Sequence, residues 1–441
     1  MAFLRVSLRA LITPAFVVTI VANVFGQNIE WKARVDFTGG ADSARAVVSV
    51  DQITVVAGTA SVAAGGLDLG VRAYDKRTGA LLWIDQTPAF SGLATNVFLA
   101  TAGTAVYFAG YKPGATSSTT DIFVRAYELT TGRVLWDNIF DKGRDDLPQG
   151  LDANLYAVVV AGYGGNTGGS SLDYLVRAYD PLTGAILWED RVDKTGTNDY
   201  AWAVALEGNQ VFVAGTTTVG VRNDLFLRAY DARSGKLKWE SRRTGTFPVQ
   251  LATASGRLFV AGYSGSNAFL AAVSSKTGSL LWQDTSAQGM FLDVTVKSNY
   301  VIAAGGNDKR GILVRLYNQT GGLIWQDQSS PQPGFAEFIS AVTATDTAIY
   351  VAGLSGEDLE DSEFLVRGYN LTFGFLNFDE RTQRAPSSHA ADIAVAGNFL
   401  TVVGSASRDT SPANTDWVIR TYRIAQPVRS TPFSKLSLDR N

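Results

Sequence analysis

The chain has no cysteine and one histidine, His389, among its 441 residues. Without cysteine it forms no disulfide, carries no lipoprotein thiol and holds no thiolate metal centre. One histidine excludes a His-rich zinc site, and no Gly-x-Ser-x-Gly elbow is present to pair with it as a serine-type base. Basic excess is also missing: 38 Lys and Arg stand against 41 Asp and Glu. Nothing is held in reserve to neutralise phosphates, so nucleic acid is not an expected partner. Long apolar runs are scarce. Only Ala10–Val24 approaches spanning length; with Arg5 and Arg9 before it and Val24-Phe25-Gly26 after it, residues 1–26 read as a secretory signal peptide. The mature chain is expected to start at Gln27, to be secreted or periplasmic and to have no membrane span after cleavage. An exported chain without disulfides must be held together by core packing.

Glycine, by contrast, is abundant, at 44 residues, and much of it sits in a phrase that the chain repeats. AYDKRTGALLW (73–83) returns as AYELTTGRVLW, AYDPLTGAILW and AYDARSGKLKW, then in degenerate form as AVSSKTGSLLW, LYNQTGGLIW and GYNLTFGFLNF. Each copy reads as strand, tight turn, strand. Asp75, Asp180 and Asp231 can bond their own backbone two residues on, and the following Gly supplies the positive φ that the turn needs. Four residues after each Gly stands Trp83, Trp136, Trp188, Trp239, Trp282 or Trp325, with Phe378 in the seventh copy. A Trp in fixed register can pack one unit against the next.

A second phrase alternates with the first: ITVVAG (53–58), VYFAG, VVVAG, VFVAG, LFVAG, VIAAG, IYVAG and LTVVG (400–404) make eight copies. Each follows a shorter apolar strand. One unit thus has four strands, an inner A, then B, C and an outer D. Eight such units predict an all-β fold, an eight-bladed β-propeller of four-stranded antiparallel blades. Trp31, in IEWKARVDF, is a D strand with nothing before it, and the last unit supplies A, B and C alone. The N-terminal strand is therefore expected to complete the last blade and close the ring, which removes exposed sheet edges. Residues 27–424 form this single domain, and 425–441 fall outside the pattern as a mobile tail.

The phrase Ala-x-Asp-x-x-Thr-Gly-x-x-x-Trp resembles the tryptophan-docking motif of the quinoprotein alcohol dehydrogenase-like (PQQ-repeat) β-propeller superfamily. The wider unit is also similar to the SBBP-type repeats of bacterial propellers. The resemblance covers roughly residues 29–424 and implies the propeller fold. For the enzymes of the superfamily it implies a quinone (PQQ) and Ca²⁺ at the centre of one face, with an Asp as base. Many of them also carry a disulfide of adjacent cysteines over the cofactor, which this chain lacks.

Architecture says where function should lie. The A–B and C–D turns are short and uniform, whereas the B–C loops vary, with long ones expected at 59–67, 111–120, 163–172, 354–362 and 405–415. Variable loops on a uniform scaffold are the usual place for binding. The D–A loops of the same face hold Asp42, Asp146 and Asp199, just ahead of inner strands, as candidate hard-oxygen ligands for Ca²⁺. Arg144, Lys194, Arg243, Arg384 and His389 are candidates for the binding face. Arg72, Arg125, Arg177, Arg228, Arg315, Arg367 and Arg420 recur at one C-strand position, four residues after an acid in six blades, and predict a structural ring of ion pairs between blades. That position is lost in blade 5, where Ala271 and Val273 replace Arg and Tyr. These features favour a non-catalytic exported platform, a monomer, that binds a protein, glycan or envelope component through its loop face. No cofactor is expected. A PQQ- and Ca²⁺-dependent dehydrogenase or another propeller enzyme is the alternative.

Overall fold

The computed structural model describes residues 28–424 apart from short loop segments (38–39, 63–65, 91–95, 115–118, 166–170, 194–195, 221, 330, 332–333, 358–360, 382–386 and 409–413). The expected signal peptide and tail lie outside the described residues. Thirty-two strands form eight four-stranded sheets, each antiparallel and, in seven of them, built from consecutive strands. The eighth sheet joins both ends of the chain: Asn28–Val35 pairs with Thr415–Arg423, placing Trp31 opposite Thr421. The inner strands of neighbouring blades touch in sequence around the ring, and that of blade 8 (Ser388–Ala396) touches that of blade 1 (Ser43–Val50). The expected eight-bladed ring with N-terminal closure is what the chain forms. Among the described residues no helix is long and apolar enough to cross a membrane.

The core lies between blades, not within one. Each hydrophobic cluster is made from the facing sides of two adjacent sheets; Val159 and Tyr174 of blade 3, for example, pack with Val213 and Phe226 of blade 4. This follows from strands buried on both faces, such as Ile53–Val62 and Gln210–Val219.

The Trp phrase supplies the outer fastening. Asp75 accepts hydrogen bonds from the amides of Arg77 and Thr78 and closes the C–D turn. Gly79, at φ 72°, then presents bare backbone to Trp31 of the preceding blade; a Cβ there would come within 2.7 Å of the ring. The indole Nε1 of Trp31 donates to the Lys76 carbonyl in the same turn. The arrangement repeats from Trp83 onto Gly132 and Leu129, and from Trp188 onto Gly235 and Ala232. It continues to Trp325, on Gly374 and Leu371. Phe378 breaks the series at the joint to blade 8. Blade 8 is closed by the N-terminal strand, so it has no C–D turn to offer a carbonyl, and Phe378 meets Tyr422 edge-on instead.

The C-strand arginines do tie blade to blade, but with a different acid from the one their spacing suggested. Two residues after Trp83, Asp85 accepts from Arg125 Nη1 at 2.9 Å and from the Tyr127 hydroxyl at 2.7 Å, both in the next blade. Arg228 and Tyr230 hold Asp190 in the same way, and Arg315 and Tyr317 hold Asp284. Asp173, four residues before Arg177, instead pairs with Arg191. Separation of four along a strand keeps two side chains on one face but too far apart to meet, at about 3.3 Å rise per residue; the neighbouring D strand is nearer. The B–C loops are also shorter than expected. Ile53–Val62 and Gly66–Asp75 keep pairing through Ser61↔Leu67, because Thr59, Ser61 and their neighbours suit a strand as well as a loop.

Candidate binding site at the channel mouth

Eight inner strands surround a central channel. Seven of them carry a β-bulge near their start, for instance between Ala44 and Ala46, Pro148 and Gly150, and Ala201 and Ala203. A bulge re-aims one side chain. The residues skipped in the register are Arg45, Gln149, Trp202, Val249, Leu292, Ser340 and Ala391, all half-buried and each preceded by a buried residue. They make a collar near the face on which the B–C and D–A connections lie.

The collar is lopsided. On the side of blades 3 to 5, five half-buried rings form one continuous arc. Tyr163 meets Tyr200 edge-on at 5.0 Å, Tyr200 stacks on Trp202 at 5.1 Å, and Trp202 contacts Phe247 at 5.0 Å. Phe247 stacks on Tyr263 at 5.1 Å. Trp202 Nε1 donates to Thr216 Oγ1, which fixes the orientation of the indole within the arc. Opposite, on blades 8 and 1, stand His389 and Arg45. Burial and the neighbouring Arg45 push the His389 imidazole down to about 4, so it is neutral at pH 7, with Nδ1 3.2 Å from the Ser405 hydroxyl.

Deeper in the inner strands are three half-buried carboxylates. Asp152 accepts from the amides of Ala153 and of Leu206 in the next blade. Asp293 and Asp392 do the same, reaching Val342 and Val47. Burial raises their pKa values, to about 6 for Asp152, about 7 for Asp293 and about 6 for Asp392. In each, both oxygens are committed to backbone amides, so these groups work as inner clasps. That donor set does not fit a Ca²⁺–quinone pair, and no step is derived through one.

The predicted ligand residues are placed apart. Asp42, Asp146 and Asp199 begin three different inner strands or the turns before them, in blades 1, 3 and 4. Asp42 is fully buried, bonds Phe37 and Ser61 and lies in a carboxylate group with Asp36 and Asp416. Arg34 and Arg408 enter that group and pair with Asp416 and Asp36. Asp146 instead groups with Asp121 and Asp141; burial raises Asp146 to about 7 and Asp121 to about 6. Among the described residues Asp199 joins no such group.

The predicted binding-face residues also scatter. Arg144 is half-buried against Gly165, and Arg243 lies on the outer strand Leu237–Arg243, away from the channel. Lys194 and Arg384 lie outside the described residues. Sequence reasoning passed over the aromatic arc itself. Its signal was present: Trp202 and Trp417 are the two tryptophans that fall outside the repeating register, and Tyr200 stands two residues from Trp202.

The fold and its Trp-fastened blades define a β-propeller of PQQ-like repeats. Residues 172–411, more than half of the chain, match the repeat family described as outer membrane protein assembly factor BamB, and the chain belongs to that family. No curated protein matches the sequence. Among solved structures, BamB from Moraxella catarrhalis aligns over 91% of this chain and 99% of its own, at 16% identity and TM-score 0.52. Quinohemoprotein alcohol dehydrogenase from Comamonas testosteroni aligns over 94% of this chain and 79% of its own, at 13% identity and TM-score 0.61. A europium-containing methanol dehydrogenase covers 91% and 94%, at 11% identity and TM-score 0.60. Likeness at these identities is likeness of fold.

Proposed function

We propose that this protein is an exported, non-catalytic binding platform, acting in the secreted or periplasmic space, that holds a protein or glycan component of the envelope at its channel mouth. The observation that carries the reading is the five-ring arc from Tyr163 to Tyr263, half-exposed and confined to blades 3 to 5. Rigid aromatic faces give large contact area at low entropic cost, and the polar edges of Gln149, Thr216 and Arg45 add direction. Nothing in the repeat requires an aromatic at the Trp202 position, since the equivalent bulged residues in other blades include Val249, Leu292, Ser340 and Ala391. The match to the BamB family favours an envelope partner.

The test uses the protein's own fluorescence. Of nine tryptophans, seven fasten joints and Trp417 is fully buried, which leaves Trp202 as the reporter at the mouth. Titration with neutral hexasaccharides and, separately, with extended peptides derived from outer-membrane proteins should give saturable quenching with one class. Trp202→Ala should abolish it while leaving the fold intact. If both classes leave the fluorescence unchanged, the platform reading fails at this site.

A further inference from the structure

We propose that the joint between blades 4 and 5 is a binding pocket for a small apolar carboxylate, a site separate from the channel mouth. Every other joint keeps at least two of the three clamp positions: an acid or Asn two residues after the Trp, and the Arg and Tyr of the next C strand. Here all three are replaced together, by Ser241, Ala271 and Val273. Losing only the carboxylate would strand a buried guanidinium; losing the set leaves an apolar cleft without an orphaned charge. The result is a partly enclosed cavity of about 220 Å³ between the two sheets, walled by Leu225, Leu227, Phe269, Ala271, Val273 and Leu280. At about 30 Å³ per water-sized group, it has room for about seven non-hydrogen atoms.

One cation enters it. Arg243 also lines the cavity, from a D-strand position where other blades place Thr87, Phe140, Val192, Ser286 and Ser329. Its guanidinium lies 5.4 Å from the centroid of the Phe269 ring and donates to the side-chain carbonyl of Gln283. Among the described residues no carboxylate pairs with it. Arg242, also on the lining, stacks over Phe226. An apolar chamber with an unpaired guanidinium at its edge is complementary to a ligand that has a short hydrocarbon body and a carboxylate head, which Arg can grip through two parallel N–H bonds.

The experiment is calorimetric titration of the full mature chain with octanoate, and with octanol as the uncharged control. Octanoate should bind saturably at one site per chain. Arg243→Gln should weaken it at least tenfold, towards the octanol level. The triple variant Ser241→Asp, Ala271→Arg and Val273→Tyr rebuilds the clamp and should eliminate binding while raising the thermal midpoint. Ala271→Leu fills the cavity without adding charge and should also eliminate binding, which covers failure of the triple variant to fold. No saturable octanoate binding, binding indifferent to Arg243→Gln, or full binding to a folded filled variant would overturn the proposal. Because the readout is independent of Trp202, its failure leaves the channel-mouth reading standing.

Discussion

The outer joints and the channel mouth are built on the same eight-fold frame and obey opposite rules. At the joints the same side chains recur: Trp on a turn Gly, then Arg and Tyr gripping a carboxylate of the preceding blade. At the mouth the backbone device recurs, the bulge, but the residues it presents differ in each of the seven blades that have it, from Arg45 to Trp202 to Ala391. Repetition of side chains marks what holds the ring; repetition of backbone with changing side chains marks what the ring displays. Blade 5 is instructive because there a joint behaves like the mouth, abandoning the repeated set for Ser241, Ala271 and Val273.

That contrast can be broken most forcefully at a joint. Trp188→Ala removes a buried indole, its bond to Ala232 and its packing on Gly235. It should cost about 3–5 kcal/mol in urea unfolding. Trp202→Ala, the same chemical change at the mouth, should cost less than about 1–2 kcal/mol and should abolish ligand quenching instead. Equal losses of stability would erase the distinction between the two regions.

A smaller effect is expected from the clamps. Asp190→Ala leaves Arg228 and the Tyr230 hydroxyl without the carboxylate they share. Arg228 keeps Glu240, and Asp190 is part-exposed, so the cost should be about 1–3 kcal/mol, below that of a fully buried pair. Ser241→Asp at the blade 4–5 joint, which has no arginine from the C strand to meet it, should bring no comparable gain.

Acid–base behaviour sharpens the comparison further. The inner clasps Asp293, Asp152 and Asp392 have folded pKa values of about 7, 6 and 6, above the ordinary carboxyl value of 3.8. A raised folded pKa means the folded state binds more protons than the unfolded chain between these limits. Stability from these groups is therefore full below pH 4 and is lost as pH rises through 6 to 7. His389, lowered from 6.5 to about 4, works the other way: its contribution is present above pH 6.5 and is lost as pH falls through 4. Above pH 6.5 the carboxylates act alone. Calorimetry from pH 6.5 to 8 should show the unfolding free energy falling, by about 1–2 kcal/mol in all. Asp293→Asn should reduce the slope, the remainder coming mainly from Asp146, which burial also raises to about 7, and a stability that rises over this range would contradict the assignment.

The smallest expected signal is silence. Titration with pyrroloquinoline quinone plus Ca²⁺ should release no binding heat, because the channel carboxylates are occupied by backbone amides of two blades each. Tight binding at one site per chain would replace the platform reading with a dehydrogenase.

Much of this protein was legible one residue at a time. Gly79 with Trp83, and their six echoes, report the turn, the strand period and the unit length, because those depend on local backbone geometry and on spacing. The count of eight blades and the closing role of Trp31 follow from the same periodicity, since a D strand without a partner must find one. What spacing could not supply was contact between units. The acid opposite Arg228 was Asp190, 38 residues away, and not Asp224, because the neighbouring sheet is nearer than the next turn along the same strand. Asp42 and Asp146 look equivalent in sequence, yet one groups with Asp36 and Asp416, which Arg34 and Arg408 pair from the closing blade, and the other groups with Asp121 and Asp141. Tyr163, Trp202 and Tyr263 span 100 residues of the chain and join in one arc only once three blades stand side by side. The sequence by itself determined the repeat, and with it the ring. Which side chains meet across that ring was decided by tertiary packing, which brings together residues that no local period connects.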